Sequence, residues 1–127
     1  MEEALRGHLA DNAPLAVLVG AAIQWAVREA PPSVVLHLID APTDQTLKGP
    51  SGLVQARVQI DCWATTFLGA KAIGDAVRAA MPAIQQVVSG VRFNSCVEID
   101  LARTTAGEPP NLLHRTRIDF RVSYSPA

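Results

Sequence analysis

Residues 53–81 read LVQARVQIDCWATTFLGAKAIGDAVRAAM. The first half alternates with a period of two: Val54, Ala56, Val58, Ile60 and Cys62 fall on one side, and Gln55, Arg57, Gln59 and Asp61 on the other. Successive side chains of a strand point to opposite faces, so this half predicts a half-buried strand over Leu53–Ala64. The second half changes period. Ile73, Val77, Ala80, Met81 and Ile84 share one helical stripe, and Thr65 or Thr66 can cap its start, which predicts a helix over Phe67–Ile84. Gly69 and Gly74 each weaken that helix by about 1 kcal/mol relative to Ala, and their expected use is close packing against a sheet.

On the N-terminal side, Leu5 and Leu9 predict a short helix over Glu2–Ala10. Asp11-Asn-Ala-Pro14 breaks it, and a second short helix over Leu15–Val19 stops at Gly20. Ile23–Val27 reads as a short extended piece, Glu29-Ala-Pro-Pro32 as a stiff connector, and Val34–Asp40 as a strand. On the C-terminal side, a turn at Ser89-Gly90 leads to a strand over Val91–Ala102, a loop over Thr104–Asn111 and a last strand over Leu113–Tyr124. In that last strand Ile118, Phe120, Val122 and Tyr124 oppose Arg115, Arg117, Asp119 and Arg121. The order α-β-β-α-β-β predicts an α+β fold: a four-stranded, mainly antiparallel sheet with helices packed on one face, forming one domain over residues 1–127.

Residues 41–52 read as a long loop between two strands that otherwise pair as a hairpin. Two readings stand side by side. One is a hairpin tip without a role. The other is a partner-binding finger made of Asp44, Gln45, Thr46, Leu47 and Lys48, with Leu47 as its one large apolar residue.

Composition narrows the function. Of 127 residues 49% are apolar, enough for a folded core, and the formal net charge is −1. Strong non-specific nucleic-acid binding needs an excess of Lys and Arg, which is absent. A near-neutral balance also gives little colloidal repulsion, which suits a chain that assembles. The apolar runs, such as Leu15–Val19, are too short to span a membrane, and the acidic start Met-Glu-Glu argues against a signal peptide. Cys62 and Cys96 lack metal-ligand spacing and read as reduced thiols of a cytosolic chain; His8, His37 and His114 form no ligand pattern. Gly49-Pro-Ser-Gly52 lacks the spacing of a nucleophile elbow, and no phosphate-cradling glycine motif occurs. The expectation is no catalytic residue, no metal and no cofactor. What remains is a charged sheet face carrying Asp61, Glu98, Asp100 and Asp119 with Arg57, Arg92, Arg115, Arg117 and Arg121. It is either an ordinary wet face or a subunit interface or channel wall, where the planar fork of Arg pairs well with carboxylates.

The stretch Gly-Pro-Ser-Gly-Leu-Val-Gln-Ala-Arg-Val-Gln-Ile-Asp-Cys-Trp-Ala, the helix Ala-Lys-Ala-Ile-Gly-Asp-Ala-Val-Arg-Ala-Ala-Met, the opening Glu-Ala-Leu-Arg, the segment Ser-Gly-Val-Arg-Phe-Asn-Ser-Cys and the closing His-Arg-Thr-Arg-Ile-Asp-Phe-Arg-Val-Ser-Tyr together resemble the tail-completion proteins, or tail terminators, of siphovirus-like bacteriophages, prophages and gene transfer agents. The resemblance runs through most of the chain in order and contains no invariant chemical motif. It implies a structural virion protein of the tail and neck, assembled in the host bacterial cytoplasm. Such proteins form a ring, typically a hexamer, at the head-proximal end of the tail tube. The ring ends tube growth and joins the head connector, and DNA passes through its lumen unread. The implied partners are further copies of the chain, the tail tube protein and the head-completion or stopper protein. Position and chemistry then assign Asp44–Lys48 to a partner contact, and Arg57, Asp61, Arg115, Arg117, Asp119 and Arg121 to subunit contacts or the lumen. The alternatives are a stopper ring of the same junction, a small α+β enzyme with a concealed site, and a nucleic-acid module using the Arg-rich last strand.

Overall fold

The structure, a computed structural model, describes residues 1–40, 43–46 and 49–127. Two short helices, α1 (Glu2–Ala10) and α2 (Ala13–Val19), precede β1 (Ile23–Trp25) and β2 (Ser33–Asp40). Then follow β3 (Thr43–Thr46), β4 (Gly49–Ala64), α3 (Phe67–Ala80), β5 (Gln86–Val88), β6 (Val91–Ala106) and β7 (Leu113–Pro126).

One sheet holds all of the strands. Six lie side by side in the order β1-β2-β4-β7-β6-β5, and β3 pairs with β4 beyond the end of β2. The pairing of β1 with β2 is parallel and the others are antiparallel. This corrects the expected four-stranded, mainly antiparallel sheet: the sheet is larger, and it is mixed through the parallel β1–β2 pair. Of the three strands beyond the expected four, β1 falls within the short extended piece read over Ile23–Val27, and all three are only three or four residues long, too short for a period of two to register firmly. The described part of 41–52 is likewise not a loop, because Thr43–Thr46 and Gly49–Ala64 are strand backbone. Leu47 and Lys48 of the proposed finger lie outside the described residues.

Helix α3 ends at Ala80, four residues before the expected end. Met81 is extended (φ −59°, ψ 145°), as the residue before Pro82 must be, and Ile84 is left exposed. The starts of α2 and α3 are capped by side chains. Asn12 Oδ1 accepts the Leu15 N–H at 3.1 Å, and Thr66 Oγ1 accepts the Gly69 N–H at 3.0 Å.

The core lies between the helices and one sheet face. Leu5, Leu9, Leu15, Ile73 and Val77 meet Leu36, Val58, Ile60, Phe93, Ile118 and Val122, all buried. Each such side chain contributes roughly 1.5–3 kcal/mol of burial. Helix α3 approaches β7 closely: a Cβ on Gly74 would lie 2.8 Å from Thr116 Cγ2. The opposite sheet face carries the charges.

Candidate interface on the charged sheet face

The register assembles this face in rows across β2, β4, β7 and β6. One row is Ser33, Trp63, Arg115 and Thr104; the next is Val35, Asp61, Arg117 and Ala102. A third is His37, Gln59, Asp119 and Asp100, and a fourth is Asp40, Arg57, Arg121 and Val97. All six residues singled out for subunit contact or lumen, Arg57, Asp61, Arg115, Arg117, Asp119 and Arg121, therefore share one surface. Asp100 and Arg92 join them. Glu98 does not. A bulge at Ile99 shifts the register of β6, so Glu98 pairs opposite Phe120 on the helix side and its carboxylate meets Arg78 Nε of α3 at 2.8 Å.

Two carboxylates are sunk into the face. Asp61 and Asp119 are each only 4% exposed. A buried carboxylate is costly unless it is paired. Asp119 accepts a hydrogen bond from Arg57 Nη2 at 2.6 Å, with Arg117 Nε at 3.9 Å. The hydrogen bond first, and the charge second, hold the Arg57 guanidinium above its ordinary value. Asp61 accepts from Gln59 Nε2 at 3.0 Å and has His37 Nε2 at 3.4 Å and Arg115 Nη1 at 3.7 Å. Arg117 also reaches Asp100 at 3.3 Å. Beside Asp61, two guanidinium groups lie over the Trp63 ring, Arg28 at 4.8 Å and Arg115 at 5.4 Å. Sequence reasoning missed Arg28 and Trp63, because a cation–π contact across distant segments has no period.

Arg121 stands apart. It is directly opposite Arg57, and among the described residues no carboxylate lies within 4 Å of it. Like charges directly opposite are unfavourable in isolation. Asp119 neutralises Arg57 and leaves Arg121 as an unengaged cation. With Asp40, Gln55, Ala56 and Ile99 the two arginines line a surface hollow of about 310 Å³. A second hollow, about 340 Å³, lies on the helix side, where Phe67 of α3 meets Arg103 and His114 of the β6–β7 hairpin. Among the described residues no group of three His, Cys, Asp or Glu side chains is placed to hold a metal ion. No described helix is long and apolar enough to cross a membrane.

The ionic groups of this face are engaged mainly in holding one another. The chain matches the family described as tail completion protein gp17 over residues 3–125. The chain belongs to that family. A solved structure, titled "Virion of native gene transfer agent (GTA) particle", contains a chain of the same fold: the TM-score is 0.76 at 23% identity, covering 98% of this chain and 94% of that one. The comparison with curated proteins finds no match. Membership of the tail-completion family makes this a structural protein of tail completion. For Asp44, Gln45 and Thr46 the described structure gives backbone only: they lie in β3, on the side of β4 away from β7.

Proposed function

We propose that this chain forms a ring, hexameric by the resemblance, at the head-proximal end of the tail tube in the neck of a phage-like particle. The ring ends tube growth and receives the head-side connector, while DNA passes through its lumen without being read. The observation that carries this reading is the family match along residues 3–125. The likeness in fold to a chain of a gene transfer agent virion supports it. On this reading Arg57, Arg115, Arg117 and Arg121 face a neighbouring copy or the lumen, with Asp61 and Asp119 holding the first three in place, and Asp44–Lys48 reaches the tail tube or adjacent ring.

The test is imaging of purified tails and of DNA-filled heads carrying the chain with a small electron-visible label at its C-terminus. A ring of label at the head-proximal tip of free tails supports tail termination. Label confined to tailless heads moves the protein to the head side as a stopper. Label on neither removes the neck assignment.

A further inference from the structure

The sheet has two unlike open edges. On one side, β5 covers only Val91–Phe93 of β6, and among the described residues no strand pairs with the outer side of β6 from Asn94 to Ala106. At about 3.3 Å per residue this edge is roughly 40 Å long. Its exposed apolar residues are Val97 (52%) and Ile99 (37%). On the other side, β1 covers only Val34–Leu36 of β2, so among the described residues the end of β2 runs on uncovered, followed by β3. There the exposed apolar residues are Leu38 (42%) and Ile39 (53%). Long uncovered edges invite another strand and are normally blunted.

The unengaged charges of the two edges are opposite in sign. On the open part of β6, Glu98 is tied to Arg78 and Asp100 to Arg117, while Arg103, which lies over Phe67, has no carboxylate within 4 Å among the described residues. At the other edge Asp40 is exposed and has no described cation within 4 Å. A contact joining unlike edges is heterologous, and repeated by rotation it closes into a ring.

We propose that the outer edge of β6 in one copy pairs with the β2–β3 edge of the next copy, so that the sheets of neighbouring copies join by strand addition. The proposal rests on the ring reading above and names the surface that builds the ring.

The experiment places two lysines on the edge, Val97→Lys with Ile99→Lys, and compares this variant with the wild type and with Val17→Lys. Val17 is 85% exposed on α2, away from both edges. Isolated variants are first checked for a wild-type circular dichroism spectrum and melting temperature. Tails are then assembled with each labelled chain and scored for labelled rings at the tip. The expected result is at least a ten-fold loss of rings for the edge variant and none for Val17→Lys. As a second measurement, Ile39→Cys with Val97→Cys, in a Cys96→Ala background, is oxidised on tails and should give a covalent ladder that neither single cysteine gives. Rings retained by the edge variant, with no ladder, overturn edge pairing and leave the ring reading standing. Rings retained but unable to join heads show that β6 receives a different neck protein, which also overturns the proposal. A wild-type chain absent from tail tips refutes the ring reading itself, and edge pairing falls with it.

Discussion

Gly74→Ala should destabilise this protein, although alanine is the better helix former. The substitution gains about 1 kcal/mol of helix propensity. Against this, the new methyl would stand 2.8 Å from Thr116 Cγ2 and 3.3 Å from Thr116 Cβ. Carbon atoms in contact prefer about 3.5–4.0 Å, so the overlap is roughly 1 Å. Thr116 has little freedom to retreat. It is 1% exposed, its strand is paired to Cys62 on one side and to Arg103 on the other, and its β-branched side chain is stiff. Overpacking of this kind costs about 1–3 kcal/mol, so the net loss is near 1 kcal/mol. Thr116→Ala alone loses a buried methyl but also removes a hydroxyl that has no hydrogen-bond partner among the described atoms, so its cost stays below about 1 kcal/mol. Together the substitutions move one methyl across the α3–β7 contact. The double variant should be no less stable than Gly74→Ala, giving a coupling of about 1–2 kcal/mol. Urea unfolding followed by circular dichroism measures all four proteins. A Gly74→Ala protein more stable than the wild type, or single effects that add within about 0.3 kcal/mol, would refute the close-approach argument.

Two further outcomes concern burial. Burial, with the nearby Asp61 charge second, pushes the Cys62 thiol far above its ordinary value, and burial alone pushes Cys96 up to about 11. Because the thiolate is the nucleophile, iodoacetamide at pH 8 should label Cys96 more slowly than a free cysteine and Cys62 only after unfolding; equal labelling of the two in the folded protein contradicts their placement. Tyr124 is the one tyrosine, and burial, with the Glu2 charge second, raises its phenol. Its ultraviolet titration should therefore lie above the ordinary value of about 10 when folded and return to it in urea. The sign for stability follows: Tyr124's contribution is intact below about pH 10 and is lost as pH rises through the folded value, so melting temperature should fall over that window.

What the sequence revealed, and what it hid, follow from period and length. Strand β4 and the charged half of β7 alternate without interruption, so the shared face of Arg57, Asp61, Arg115, Arg117, Asp119 and Arg121 was readable before any coordinates. Strands β1, β3 and β5 span at most two repeats of the alternation, and the sheet was underestimated for that reason. Glu98 was placed on the wrong side because a bulge is silent in sequence unless a glycine marks it. Depth was equally hidden. Nothing in the alternation distinguishes Asp61 and Asp119, which are buried, from Asp100, which is not. That difference comes from neighbours supplied by other strands: His37 and Arg115 around Asp61, and Arg57 beside Asp119.

The pairing of β6 with β7 is interrupted twice, at Asn94 and at Ile99, so β6 spends 16 residues against the 14 of β7. The first interruption inverts the alternation and the second restores it: Phe93 and Leu101 are odd-numbered on the helix side, whereas Cys96 and Glu98 between them are even-numbered. Deleting one of the two extra residues would turn every later side chain of β6 to the wrong face. Deleting both would leave every remaining side chain on its present face. In relatives of this chain, length changes within this strand are therefore expected to be tolerated in pairs, and a single-residue gap in an alignment here would mark a misplaced gap more often than a real one.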